Sequence, residues 1–235
     1  MDAKKIIFLV IALILFFVIY YFLNKDYGHY NILNTHEYLY DEKQLNISGD
    51  LLKESFSGVK YTFSLWIKTD NIPLNAHWSN DTEINKTIIQ REGSPNIMFI
   101  LPNTLRIEIS YKDKDGVLDY YNFDFELYES QVWNNFIIVV KNRKVDIYKN
   151  KLLVSSKLMD NIPWISKKIL RIGERNNNFN GYVGYIDYYN YDLSREQIIE
   201  LYNKNYKKLP KFLKNYKQNL DDDKNESNII NLINR

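Results

Sequence analysis

A chain of 235 residues with an apolar fraction of 45% is long enough to bury one sizeable core and still carry appendages. A formal net charge of +2 lacks the concentrated basic excess that phosphate-backbone binding needs, so nucleic acid is excluded as the main partner. With no cysteine, disulfides and thiolate metal sites are unavailable, and packing alone must hold the fold.

Residues 1–5 form a short stub containing Lys4 and Lys5. Residues 6–23 are an uncharged apolar run. As a helix rising ~1.5 Å per residue the run spans roughly 27 Å, close to the hydrocarbon thickness of a bilayer. A secretory leader has a shorter apolar region, about 7–15 residues, and ends in a small-x-small cleavage site. Nothing of that kind follows Leu23, so the run is expected to be an uncleaved transmembrane anchor, with Tyr20 and Tyr21 near the interface. Lys4 and Lys5 before it outweigh Lys25 behind it, which places the N-terminus in the cytoplasm and the remainder in the lumen or outside.

Residues 24–36 are polar and without periodicity, and read as a stalk. A β-sandwich is expected over residues 37–203, with strands beginning at Leu45. Residues 70–87 contain Pro73, His77 and Trp78 and few strand formers, which predicts a long loop of the kind that often carries function. Trp78 is the candidate ligand-binding side chain there, flanked by His77 and Asp81. An indole on a loop stacks on a sugar ring or anchors a protein contact; the competing reading is that it folds back to pin its own loop. Leu105, Ile107 and Ile109 alternate with polar residues, as do Tyr121, Phe123, Phe125 and Leu127, and Asp115-Gly116 supplies the turn of a hairpin between them. Residues 136–140 show no alternation and are expected to be covered on both faces; alternation resumes at Val145 and Ile147.

The stretch 179–202 joins a last strand to a helix. Gly181 and Gly184 bracket a run in which Val183, Ile186, Tyr188 and Tyr189 supply the large strand-forming side chains. Ser194 is then an N-cap with Gln197 as the reciprocal half of a capping box, followed by Ile198, Leu201 and Tyr202 at helical spacing. Residues 204–235 form a charged tail, lysine-rich at first, with an acidic run at 221–223 and the apolar Ile229, Ile230, Leu232 and Ile233 near its end. It reads as a solvated linker or as lysines that meet anionic lipid or an acidic partner. Short strands with turn signals, no helix-period run in the middle and one helix at the end predict an all-β sandwich.

Gly181, Val183, Gly184, Ile186, Tyr189, Asn190, Leu193 and Ser194 follow the closing pattern of the laminin-G-like, concanavalin A-like jelly rolls, which this chain resembles. Phe63-Ser64-Leu65-Trp66-Ile67-Lys68 is similar to the family's F-x-x-W-x-K strand, and the strand from Trp133 to its W-x-x-hydrophobic strand. Ile147-Tyr148-Lys149-Asn150-Lys151 is similar to its L-Y-V-N-G hairpin, and Leu170-Arg171-Ile172-Gly173 to L-R-I-G. Lys151 stands where that hairpin normally has glycine, so its turn must tolerate strain or change form. The resemblance implies a two-sheet antiparallel jelly-roll sandwich, here with an N-terminal transmembrane helix and a short C-terminal helix. That fold hosts adhesion modules, lectins, glycosidases and structural proteins alike.

The hydrolases of this fold carry acids as E-x-D-x-x-E on one strand, because glycoside hydrolysis needs two carboxylates facing across the bond. This chain has no such strand; Asp124 and Glu126 alternate without a third acid, and read as a solvent face. The expectation is therefore no enzyme, with a membrane-tethered hydrolase of degenerate site as the alternative. His29, His36 and His77 are scattered, outside any metal-ligand spacing, and read as exposed loop residues. No metal or cofactor is expected. Calcium stays open because the resembled domains bind it through loop aspartates, for which Asp81 and Asp187 are candidates, the latter on a strand and as readily facing water. Trp66, Trp133 and Trp164 are expected in the core. Asn46, Asn80 and Asn85 open glycosylation sequons, as does Asn225. The expected role is a membrane-anchored binding or scaffold module, recognising glycan or protein. In its structural form it would tie the membrane of a virus particle to its shell, with capsid or neighbouring membrane proteins as partners. A composition rich in Asn, Ile, Lys and Tyr, as the AT-rich genomes of some large DNA viruses or protists encode, suits that form.

Overall fold

The structure, a computed structural model, describes residues 10–19, 28–39, 43–55, 57–69, 85–100, 103–127, 131–175, 179 and 181–210. Residues 10–19 are helical, and their large apolar side chains are exposed throughout. Among the described residues no helix is long and apolar enough to cross a membrane. The anchor expected over 6–23 enters the description only through this stretch.

Among the described residues the remainder builds two antiparallel sheets of six strands each. Sheet A runs in the order β1 (His29–Leu39), β12 (Gly181–Tyr189), β3 (Lys60–Thr69), β8 (Trp133–Lys141), β9 (Lys144–Lys149), β10 (Leu152–Leu158). Sheet B runs β2 (Leu45–Ile47), β11 (Leu170–Ile172), β4 (Asn85–Arg91), β5 (Asn96–Ile100), β6 (Thr104–Lys112), β7 (Leu118–Glu126). The alternation seen in the sequence sorts each strand's side chains between faces. Phe63, Leu65 and Ile67 of β3 and Phe136, Ile138 and Val140 of β8 meet Leu105, Ile107 and Ile109 of β6 and Leu170 and Ile172 of β11 in one buried core. The hairpin of β6 and β7 forms as expected, with Gly116 at φ +79 in its turn. Between β9 and β10, Asn150 and Lys151 both take left-handed backbone angles, φ 48 and 66, so the lysine tolerates the conformation that glycine would adopt freely.

The unbroken apolar run of β8 has a specific cause. Its outward residues Ile137 and Val139 are buried under Ile198 and Leu201 of the C-terminal helix (Arg195–Tyr206), which lies on the outer face of sheet A. That helix starts with the expected capping box: Ser194 Oγ accepts from the Gln197 N–H, and Gln197 Oε1 accepts from the Ser194 N–H at 2.8 Å. The missing alternation between Val183 and Ile186 also has a cause. A register shift between Gly184 and Asp187 marks a bulge, where Tyr185 takes φ 47 and its ring joins Trp66 and Tyr202 on the outer face.

Several expectations are corrected. Residues 29–36, read as stalk, belong to β1, because bulges let this polar strand pair with β12 at the sheet edge. Residues 85–87, read as the end of a loop, are already in β4. The tail does not begin at 204: the helix runs to Tyr206, and Leu209 is buried against Trp66 and Trp133. Those two tryptophans are buried beneath the helix rather than between the sheets, and Trp164 is only half-buried, with Lys112 Nζ 4.6 Å from its ring centre.

Candidate functional site

The two outer faces of the sandwich are unequal. On sheet A the C-terminal helix covers Ile137, Val139, Trp66 and Tyr185. Beneath it lies Asp187, 3% exposed. Its Oδ1 accepts from Asn31 Nδ2 at 2.8 Å and lies 2.9 Å from His29 Nε2, while Oδ2 accepts from Asn205 Nδ2 at 3.1 Å. Burial works to raise the pKa of this carboxyl, but the hydrogen bonds from His29, Asn31 and Asn205 outweigh it and hold the group below its ordinary range. Asp187 is thus a buried structural carboxylate, neither water-facing nor free to bind calcium. His29 and His36 are strand residues, not loop residues: His29 stacks on Tyr189 with ring centres 4.4 Å apart, and His36 meets Trp133 edge-on.

Among the described residues no helix lies on the outer face of sheet B. Rows of polar side chains cross its outer face in register: Arg171 between Asn46 and Gln90, Glu108 between Asn96 and Asn122, Arg106 opposite Asp124. At one end of this face lies a groove of about 570 Å³, within the range on the order of 300–1,000 Å³ of small-ligand sites. Ser48, Gly49 and Asp50 form one part of it, and Lys167, Lys168, Ile169 and Arg171 another; Gln90, Arg91, Glu92, Asn96 and Tyr120 complete the lining. Gly49 lets the turn approach the Lys167–Lys168 backbone so closely that a Cβ there would overlap both carbonyl oxygens.

Arg91 ends β4 with its side chain turned inward, 2% exposed. Its Nη1 donates to the Ser94 carbonyl at 3.4 Å and Nη2 to the Ser166 carbonyl, while Nε has no partner. Burial lowers its pKa, and burial pushes that of neighbouring Tyr188 up to about 12. Lys168 pairs with Glu92, and Arg171 Nη1 donates to Gln90 Oε1 at 3.3 Å. Farther along the face, Asp124 is gripped at two points by Arg106, at 2.8 and 2.9 Å, and burial raises the pKa of Glu108. Among the described residues no group of three or more His, Asp or Glu side chains is placed to hold a metal ion.

Of the residues singled out from the sequence, His77, Trp78, Asn80, Asp81 and Asn225 lie outside the described residues. Asn46 is exposed on β2, where Gln44 Nε2 donates to its Oδ1 at 2.8 Å, and Asn85 opens β4. The groove was missed because its lining comes from separate segments that share no linear motif. Arg171, within the L-R-I-G strand, and Ser48, which closes the Asn46 sequon, are its residues inside recognised patterns.

A model of a laminin-G-like family, described as the concanavalin A-like lectin/glucanases superfamily, matches residues 44–199. No curated protein matches the chain. Among solved structures, the receptor binding domain of botulinum neurotoxin D superposes with a TM-score of 0.56 at 15% identity, covering 77% of this chain and 46% of that one. The binding domain of Paraclostridial Mosquitocidal Protein 1 gives 0.55 at 16%, covering 77% and 47%. The botulinum neurotoxin serotype D ligand binding domain in complex with N-acetylneuraminic acid gives 0.54 at 15%, covering 76% and 44%. The chain thus spans less than half the length of these domains, and at such identity the likeness is one of fold.

Proposed function

Since the chain belongs to the laminin-G-like family of the concanavalin A-like lectin/glucanases superfamily, we propose that it is a non-enzymatic recognition module, anchored by residues 6–23, that takes a glycan or protein segment in the groove of sheet B. The observation that carries this reading is the asymmetry of the faces among the described residues: the C-terminal helix occupies one, and the other bears a groove lined by amides, charges and a tyrosine. Such a mixture orients a polar ligand and offers a ring for stacking. Two of the nearby carboxylates are held in ion pairs, Asp124 with Arg106 and Glu92 with Lys168, and the chain lacks the E-x-D-x-x-E strand, which favours binding over hydrolysis.

The anchor is supported by the uncharged run 6–23 and the exposed apolar side chains over 10–19, and the lysine asymmetry puts the N-terminus in the cytoplasm and the sandwich in the lumen or outside. The test is a glycan array probed with the full chain in detergent. Reproducible binding that falls at least about tenfold in Tyr120→Ala, a loss of ~1.4 kcal/mol, supports the reading. Silence, or shortening of the sugar chains on chromatography, would sink it. A scaffold role, in a virus particle or elsewhere, is the second reading. It is favoured by β10, whose Leu152, Leu153, Val154 and Leu158 are exposed on the open edge of sheet A.

A further inference from the structure

We infer that the sandwich is seated end-on against the bilayer, with the exposed apolar side chains of the end nearest the N-terminal run in the lipid interface. The inference rests on the anchor proposed for residues 6–23 and adds to it the orientation of the sandwich. Residues 29–36 belong to β1, so only residues 24–27 separate the run from Gly28. Even fully extended, that connection reaches about 18 Å. The end of the sandwich that holds Gly28 is therefore held close to the membrane.

Strand pairing shows what shares that end. The Asn190 N–H donates to the Gly28 carbonyl at 2.8 Å. Across sheet A, His29 lies opposite Tyr189, Tyr189 opposite Thr62, Lys60 opposite Lys141, and Lys144 opposite both Lys141 and Leu158. Sheet B brings its turns to the same place. The Tyr188 hydroxyl donates to the Lys53 carbonyl at 3.0 Å, just after the Gly49–Leu51 turn. The segment following Leu158 crosses over to β6, where the Trp164 N–H donates to the Ser110 carbonyl at 2.8 Å and Pro163 bridges Tyr111, just before the β6–β7 turn.

Large apolar side chains stand exposed at this end: Leu51 at 44%, Val117 at 60%, Leu158 at 67%, Ile162 at 58% and Ile169 at 51%. They come from four separate turns and strand ends, and apolar tips gathered beside a membrane tether are covered by the interface that the tether enters. The charges among them are of both signs: Lys114 stands between Asp113 and Asp115, Lys53 beside Glu54, and Lys168 pairs with Glu92. The contact is thus apolar and calls for no anionic lipid. Ile169 also lines the groove, so seating this end sets the groove beside the headgroups.

The chain has no cysteine, so single labels can be placed without background. The test uses the full chain in phosphatidylcholine vesicles, with an environment-sensitive fluorophore on Val117→Cys, Leu158→Cys, Ile162→Cys or Leu152→Cys. Leu152 is the control: it is 65% exposed, like Leu158, but stands at the other end of β10, roughly 20 Å away. Labels at Val117, Leu158 and Ile162 should shift to the blue and lose intensity to lipids carrying a nitroxide in the headgroup region, while the label at Leu152 should do neither. All four positions are exposed, so the variants should melt with the parent. The quenching should persist as salt rises from about 50 to 500 mM, since apolar contact is not screened. Chain that floats with the vesicles while every label stays in water overturns the inference and leaves the anchor standing; chain that fails to float overturns both. Equal quenching at Leu152 and Leu158 overturns the end-on orientation, and loss of quenching in salt overturns the apolar contact. Blue-shifted labels untouched by nitroxide lipid, but self-quenching as protein density rises, would give this end to a second copy of the chain and overturn the inference.

Discussion

Asp187 and Gly49 carry the sharpest constraints on single side chains. Asp187 is a carboxylate beneath a helix, held ionised by donors from β1 and from the helix itself. Its folded pKa is depressed. The stability it contributes is therefore fully present above its unfolded value of about 3.9 and is lost as pH falls below that value toward the folded pKa. In urea denaturation at pH 7, Asp187→Asn should cost about 2–3 kcal/mol, because an amide turns donors toward donors. The gap between variant and parent should shrink as pH drops below about 4. A variant as stable as the parent at pH 7 would count against the network. Gly49→Ala acts through sterics: its Cβ meets the Lys167 and Lys168 carbonyls. It should lower stability by about 1–3 kcal/mol and weaken ligand binding, since the wall that must yield belongs to the groove.

At the scale of elements, the C-terminal helix and β12 settle the architecture of sheet A. The helix is short, with its buried positions at Ile198, Leu201, Tyr202 and Asn205, so its termination and its docking face matter more than its propensity. Ser194→Ala removes the cap and should cost about 1 kcal/mol in thermal or chemical denaturation; an unchanged midpoint would mean that packing alone fixes the helix start. β12 is unusual in holding Tyr185 in the left-handed region. The strain is offset where the side chain arrives: its hydroxyl donates to the Lys208 carbonyl at 2.9 Å, tying down the chain just after the helix. The bulge also explains why strand periodicity fails there, since residues on its two sides keep their faces only by inserting one extra position. On the opposite edge, β10 exposes four apolar side chains but is guarded by a register shift at Val154 and by Lys157, whose Nζ lies 4.9 Å from the ring centre of Tyr121. Those are the devices that keep an edge strand from pairing indiscriminately.

For the molecule as a whole, the reading joins an apolar N-terminal run to a sandwich whose free face is polar. The full chain should partition into the detergent phase on cloud-point separation. Leu13→Lys with Phe16→Lys should move it to the aqueous phase, each charge at mid-span costing about 2.5–3.5 kcal/mol. Recovery of the parent in the aqueous phase with its first residues intact would end the anchor proposal, while the groove and its ligand chemistry would stand unaffected.

The division between sequence and structure follows from the range of the forces involved. Alternation at Leu105–Ile109, the capping box at Ser194–Gln197, the Asp115-Gly116 turn and the four ordered motifs are local signals, and they sufficed for the all-β class, several of the strands and the family. The edge strand β1 carries almost no apolar rhythm, because bulges and one-sided burial erase it; pairing with β12 alone reveals it. The burial of Asp187 depends on residues 158 positions upstream and 18 downstream. The groove depends on turns and strands far apart in the chain, brought together by the pairing of β11 with β2 and β4. Local chemistry decided what each segment would become. Which face the helix covers, and where the groove forms, were decided by the packing of the sheets.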